Sequence, residues 1–102
     1  MSVRVSDEPD ATTVFLAGVV DLEHSPEARK ALLAAFERKR PVVADLQGVT
    51  YLDSSGVASL VEAYQKAQAA GMSFSIARTS AQALKVLKLA RLDKVFTFRP
   101  EA

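Results

Sequence analysis

A chain of 102 residues has the size of one domain, and folding buries roughly two-thirds of its unfolded surface, enough for one hydrophobic core. At 49% hydrophobic and 25% charged residues it is too apolar for a disordered chain; 13 basic and 12 acidic side chains leave a net charge of +1, too small a field for a nucleic-acid or anionic-membrane binder. With no cysteine there is no disulfide framework, no thiolate nucleophile and no sulfur-ligated metal.

The opening MSVRVSDEPD carries charges where a signal peptide needs an apolar core. No window approaches the ~18 apolar residues that span a bilayer. A cytoplasmic location is expected. VRVSDE alternates, DEPDAT supplies turn residues, and TVFLAG is β-branched and apolar up to Gly18, so residues 3 to 18 read as a β-hairpin. In HSPEARKALLAAFERKR, Ser25 is placed to cap and Pro26 suits the first helical position. Ala28, Leu32, Ala35 and Phe36 recur at helical spacing. The expectation is a helix from about 26 to 39 with a basic last turn suited to its dipole.

PVVADLQGV, bounded by Pro41 and Gly48, reads as a buried strand. Val57, Leu60, Val61, Tyr64 and Ala67 then mark a helical stripe closed by Gly71. MSFSIAR alternates as a strand, with Met72, Phe74 and Ile76 on one side. Ser80 caps a third helix, SAQALKVLKLARL, and KVFTF reads as a short last strand. In that third helix Leu84, Leu87 and Ala90 form one stripe while Val86 and Leu89 lie on another face. Such width points to deep burial, or to an exposed apolar patch for a partner. Strands alternating with helices give an α/β fold, a mixed sheet of four to five strands opened by an antiparallel hairpin and flanked by three to four helices.

The only histidine, His24, sits among Asp21, Glu23 and Ser25 and reads as an exposed loop residue; a metal site would need further ligands at suitable spacing. DSSG, residues 53 to 56, raises a sharper question. A nucleophile elbow has glycine two positions before and after its serine, and neither Ser54 nor Ser55 meets that pattern. No His, Lys or Cys stands near in sequence to activate them. GxGxxG and GxxxxGK[ST] are both absent, so a phosphate-cradling loop has no support. Asp and Ser are good helix caps, and glycine relaxes a strand-to-helix turn. The same turn, at the carboxyl end of a strand, is where α/β sheets place their working surface.

Taken together, FLAGVVDLEHSPEARKAL, ADLQGVTYLDSSGVASL and ALKVLKLARLDKVF make the chain resemble the STAS domain, the fold of bacterial anti-sigma factor antagonists and of the cytoplasmic domains of sulfate transporters. The resemblance spans nearly the whole chain, so one STAS domain over residues 1 to 102 is expected. It implies a non-catalytic regulator with no cofactor and no metal. Its partner would be an anti-sigma factor that is also a serine kinase, and phosphorylation of Ser54 would end their binding. Asp21, Asp53, Ser54, Ser55 and Gly56 would form the partner-binding surface, with Asp53 orienting Ser54. Ser59 reads as a small helix-surface residue. The turn departs from the common G-E-[LIV]-D pattern by placing Val19 in the usually polar position, which bears on the identity of the partner. The alternative is a cytoplasmic STAS subunit of a lipid-asymmetry ABC transporter, docking on its ATPase through the same turn. Members with that role tend to carry threonine and glycine in place of the two serines.

Overall fold

The alternating start of the chain closes as the expected hairpin in a computed structural model that describes residues 1–99. Strands β1 (Ser2–Glu8) and β2 (Ala11–Val20) pair antiparallel from Ser2↔Ala17 to Glu8↔Ala11, leaving Pro9 and Asp10 to make the turn. The strand β2 runs two residues past Gly18 because Val19 and Val20 continue the ladder against Tyr51 and Leu52. Helix α1 (Ser25–Ala35) returns the chain to β3 (Val42–Leu52), α2 (Ser54–Ala70) to β4 (Phe74–Ala77), and α3 (Ala81–Leu89) to β5 (Thr97–Phe98).

All pairings after the hairpin are parallel, and the sheet order is β1-β2-β3-β4-β5. Each crossover steps in the same direction, and right-handed connections then lay all three helices on one face. The core agrees. Val14 and Leu16 of β2 and Val42, Ala44 and Leu46 of β3 meet Ala28 and Leu32 of α1, Leu60, Ala63 and Ala67 of α2, and Ala83 and Leu87 of α3. Phe36, Phe74, Phe96 and Tyr64 seal this layer, with ring centroids 5.7 to 6.2 Å apart.

Among the described residues the opposite face carries no helix, yet Thr13, Val43, Asp45 and Ser75 are buried there. Charged side chains fold over them. Arg78 Nε and Nη2 reach Asp45 Oδ2 at 2.8 and 2.7 Å, the Arg4 guanidinium lies 4.0 Å from the centre of the Phe15 ring, and Thr13 Oγ1 donates to Glu8 at 2.6 Å. Strand alternation therefore still yields two buried faces, one packed with hydrocarbon and one closed by ion pairs and arginine stems.

Several local expectations are corrected. Ser25 does not cap α1: His24 is the N-cap, without a side-chain bond, and Ser25 is the buried first helical residue whose amide donates to the Asp21 carbonyl at 2.7 Å. The helix stops at Ala35, so its last turn holds no basic residue; a 3-10 turn follows, and Lys39 enters the left-handed region at φ 57. Phe36, buried against the core, fixes this early stop. Gly48 does not end β3, since the ladder continues to Leu52. On α2 the fully buried stripe is Gly56, Ser59, Leu60, Ala63 and Ala67, while Val57, Val61 and Tyr64 flank it partly buried. On α3 the buried pair is Ala83 and Leu87. Leu84 is only half-buried, Ala90 is exposed, and Leu89 stands 76% exposed. In β4, Phe74, Ser75 and Ile76 are all buried, so its alternation marks two covered faces. Gly71 and Ser80 cap as expected, the latter accepting from the Ala83 amide at 3.2 Å.

Candidate functional site

Strand β3 ends at Leu52 and α2 begins at Ser54, so one residue makes the whole turn. That residue, Asp53, is extended (φ −112, ψ −172), and its Oδ1 accepts the amides of Ser55 at 2.9 Å and Gly56 at 3.1 Å. Two of the amides that a helix start leaves unpaired are thereby satisfied. One carboxylate oxygen, Oδ1, is engaged in building the turn, through the backbone of Ser55 and Gly56. The hydrogen bonds of Oδ1 run to these backbone amides, and the expected role of orienting the Ser54 hydroxyl is left to Oδ2.

Gly56 explains itself by distance. A Cβ there would stand 2.4 Å from Leu52 Cδ1 and 2.6 Å from the Val20 carbonyl oxygen. The first turn of α2 therefore lies directly on the ends of β2 and β3, and only glycine fits. Gln82 of α3 clamps the same strand end: its Oε1 accepts from the Leu52 amide at 2.9 Å, and its Nε2 donates to the Leu52 carbonyl at 3.4 Å. Ser59, expected on the surface, is buried at 4% exposure, with Oγ 3.2 Å from the Ser25 carbonyl and 3.3 Å from that of Ser55. It couples the starts of α1 and α2 instead of offering a hydroxyl to solvent.

With Asp53, Gly56 and Ser59 committed to structure, the exposed hydroxyl is that of Ser54; Ser55 is half-buried. The Asp53 amide donates to the Val20 carbonyl at 3.4 Å, which sets Asp21, the next residue, beside the turn. His24 is half-buried here, not a free loop residue, with Nδ1 2.7 Å from Asp21 Oδ1. This hydrogen bond holds the Asp21 carboxyl below its ordinary range. Asp21, Glu23 and His24 bring one possible ligand atom each within 4.8 Å of one another. The Asp21–His24 bond already uses two of those atoms, so the cluster is accounted for as a bonded turn.

Around the turn the same end of the sheet exposes Val19 (37%), Tyr51 (47%) and Leu22 (75%), with Val19 and Tyr51 adjacent in register. These three were missed as a set by sequence reading, although a leucine between Asp21 and Glu23 is a signal of an exposed apolar contact. Neither 19–28 nor 49–62 contains a lysine or arginine. The site is a single exposed hydroxyl at a helix start, rimmed by apolar side chains and carboxylates. Among the described residues the Ser54 hydroxyl makes no hydrogen bond of its own, an arrangement suited to being docked against.

A family model described as "Mlab, STAS domain" matches residues 3–99. Among solved structures, an anti-sigma factor antagonist from Mycobacterium paratuberculosis superposes with a TM-score of 0.85 at 25% identity, covering 98% of this chain and 86% of that one. An anti-sigma-factor antagonist (STAS) domain protein from Planctomyces limnophilus gives 0.81 at 21% identity, over 98% and 91%. SpoIIAA, a Bacillus cell fate determinant, in its phosphorylated form gives 0.72 at 16% identity, over 98% and 93%. The last two likenesses speak to the fold alone. Among the described residues no helix is long and apolar enough to cross a membrane.

Proposed function

The chain belongs to the STAS domain family, and on that premise we propose that it is a single-domain anti-sigma factor antagonist, non-catalytic and switched off by phosphorylation of Ser54. The observation that carries this reading is the division of labour in DSSG: Asp53 and Gly56 build the turn, while the Ser54 hydroxyl stands exposed at the N-terminus of α2. The partner is an anti-sigma factor with serine kinase activity, and its contact surface comprises Asp21, Asp53, Ser54 and Ser55 with the apolar rim of Val19, Leu22 and Tyr51, while the buried Gly56 holds the turn in place beneath it.

The switch follows from charge. A phosphate adds about −1.5 to −2, and a helix N-terminus stabilises it by roughly 0.3 to 1 kcal/mol, so the domain tolerates it. No cation in the two neighbouring segments neutralises it, and Asp21 and Asp53 share its sign. Against a partner that has dehydrated Val19, Leu22 and Tyr51, an uncompensated charge costs about 2 to 5 kcal/mol, or roughly thirty-fold to several-thousand-fold in affinity. The interface term exceeds the gain within the domain.

The test uses a purified serine-kinase anti-sigma factor encoded beside this chain. Binding to the wild type, loss of binding in Ser54→Asp, and phosphate incorporation absent from Ser54→Ala are expected. Binding indifferent to Ser54→Asp, or co-purification with a transporter ATPase subunit that is equally indifferent, would overturn the proposal and favour a docking role for the hydroxyl.

A further inference from the structure

We propose that the outward stripe of α3 is a second docking strip, separate from the Ser54 turn, which takes an acidic amphipathic helix of a partner protein. This inference does not rest on the phosphorylation of Ser54.

Helix α3 fully buries only Ala83 and Leu87 in the core, with Val86 packed partly buried beside them. On the outward side Ala81, Leu84, Lys85, Lys88 and Leu89 line a groove of about 430 Å³. Their spacing is i, i+3, i+4, i+7 and i+8. The first four are the arrangement that forms a hole for one side chain of a helix packed alongside. Leu89, at the end of the groove, is the most exposed large apolar side chain among the described residues, at 76%. Val95, just beyond, is 45% exposed.

Charge selects the occupant. Lys85, Lys88, Arg91 and Lys94 follow one another with Asp93 as the single acid. None of the four has a carboxylate ion pair among the described residues; the same holds for Arg4, Lys30, Lys39 and Lys66, but those are scattered, whereas these four follow one another within ten positions. The larger bowl on the bare sheet face, about 590 Å³, has both its cations, Arg78 and Arg99, matched by Asp45 and Asp10, so it offers no free positive charge among the described residues. Apolar knobs flanked by Glu or Asp complement the α3 stripe at both levels. A second copy of α3 would set lysine against lysine across a two-fold axis. A bilayer would meet little hydrocarbon, because α3 has only nine residues and Leu89 is the one fully exposed large apolar side chain on it. The Gln82 clamp on Leu52 anchors the N-terminal end of the strip beside the β3 end that precedes Asp53, so the two surfaces are neighbours.

The experiment is a chemical-shift titration of the whole protein with a synthetic helical peptide of about 20 residues carrying leucine at every third or fourth position flanked by glutamate, compared with the same peptide bearing lysine for glutamate. The acidic peptide is expected to shift amides of α3, to bind at least tenfold more tightly than the basic one, and to weaken as salt is raised. Leu89→Asp should weaken it at least tenfold, and Lys85→Glu combined with Lys88→Glu should reverse the preference to the basic peptide. Leu89 and both lysines are exposed, so the variants fold, and unchanged melting temperatures check this. Equal binding of the two peptides, shifts confined to other elements, or no binding near 1 mM, on the order of a −4 kcal/mol interaction, would overturn the proposal. So would a dimer that disappears in Leu89→Asp, or binding of phosphatidylglycerol vesicles without binding of the acidic peptide.

Discussion

Replacing Gly56 by alanine pits a general preference against a local contact. Alanine is favoured over glycine in a helix by about 1 kcal/mol, so on propensity alone Gly56→Ala should stabilise α2. Its Cβ would lie 2.4 Å from Leu52 Cδ1, a methyl that can swing aside, and 2.6 Å from the Val20 oxygen, which cannot. That carbonyl is backbone at the end of β2 and already accepts the Asp53 amide. The helix start must lift, at an overpacking cost of about 1 to 3 kcal/mol, and the lift strains the two Asp53 bonds whose loss costs about 0.5 to 2 kcal/mol. The net expectation is a destabilisation of about 1 to 3 kcal/mol, with melting lowered by roughly 4 to 8 °C per kcal/mol in a domain of this size. Urea unfolding followed by circular dichroism measures it, and amide shifts should concentrate at Val20 and from Leu52 to Val57. Gly71→Ala is the control: nothing lies near its Cβ, but its φ of +65 makes alanine cost about 1 kcal/mol without local shifts at the turn. A Gly56→Ala variant as stable as the wild type would refute the close approach of α2 to the strand ends.

Asp53→Ala removes the acceptor for two amides and should cost about 1 to 2 kcal/mol, whereas Asp53→Asn keeps an oxygen in place and should cost a few tenths; equal losses in denaturant melts would show that charge, not capping, matters. The hydrogen bond and charge of Arg99 hold Asp10 below its ordinary value of 3.8. A depressed carboxyl contributes stability above its unfolded value and loses it as pH falls through the folded one. The stability gap between wild type and Asp10→Asn should therefore be constant above about pH 5 and close between about pH 4 and pH 2. A gap unchanged down to pH 2 would refute the pairing.

Legibility followed the range of the interaction. The hairpin, the three parallel crossovers and the caps at Asp53, Gly71 and Ser80 were readable because turn chemistry and apolar period act within a few residues. Ser59 was misread because its burial comes from the Ser25 carbonyl, 34 positions away. The Gln82 clamp on Leu52, 30 positions apart, leaves no local mark either. The α1 end was overrun since FERKR keeps helix-forming residues while Phe36 and the left-handed Lys39 turn the chain. Within the site, Ser54 and Asp53 were legible from DSSG, but the division between a building carboxylate and an exposed hydroxyl required the distances. On α3 breadth of apolar pattern could mean burial or exposure, and only the position of the sheet decides for Leu89.

The identity of strand order and chain order also bears on how the molecule assembles. In a sheet wound both ways from its middle, a late strand must slot beside one placed long before. Here each arriving strand finds its neighbour to be the one just made, and no existing pair has to open. Loop closure is then limited to one crossover at a time, which keeps the entropic cost of each addition small. Synthesis from the amino terminus would deliver the β1–β2 hairpin first and the two-residue β5 last, so the growing edge advances in the order the ribosome supplies it.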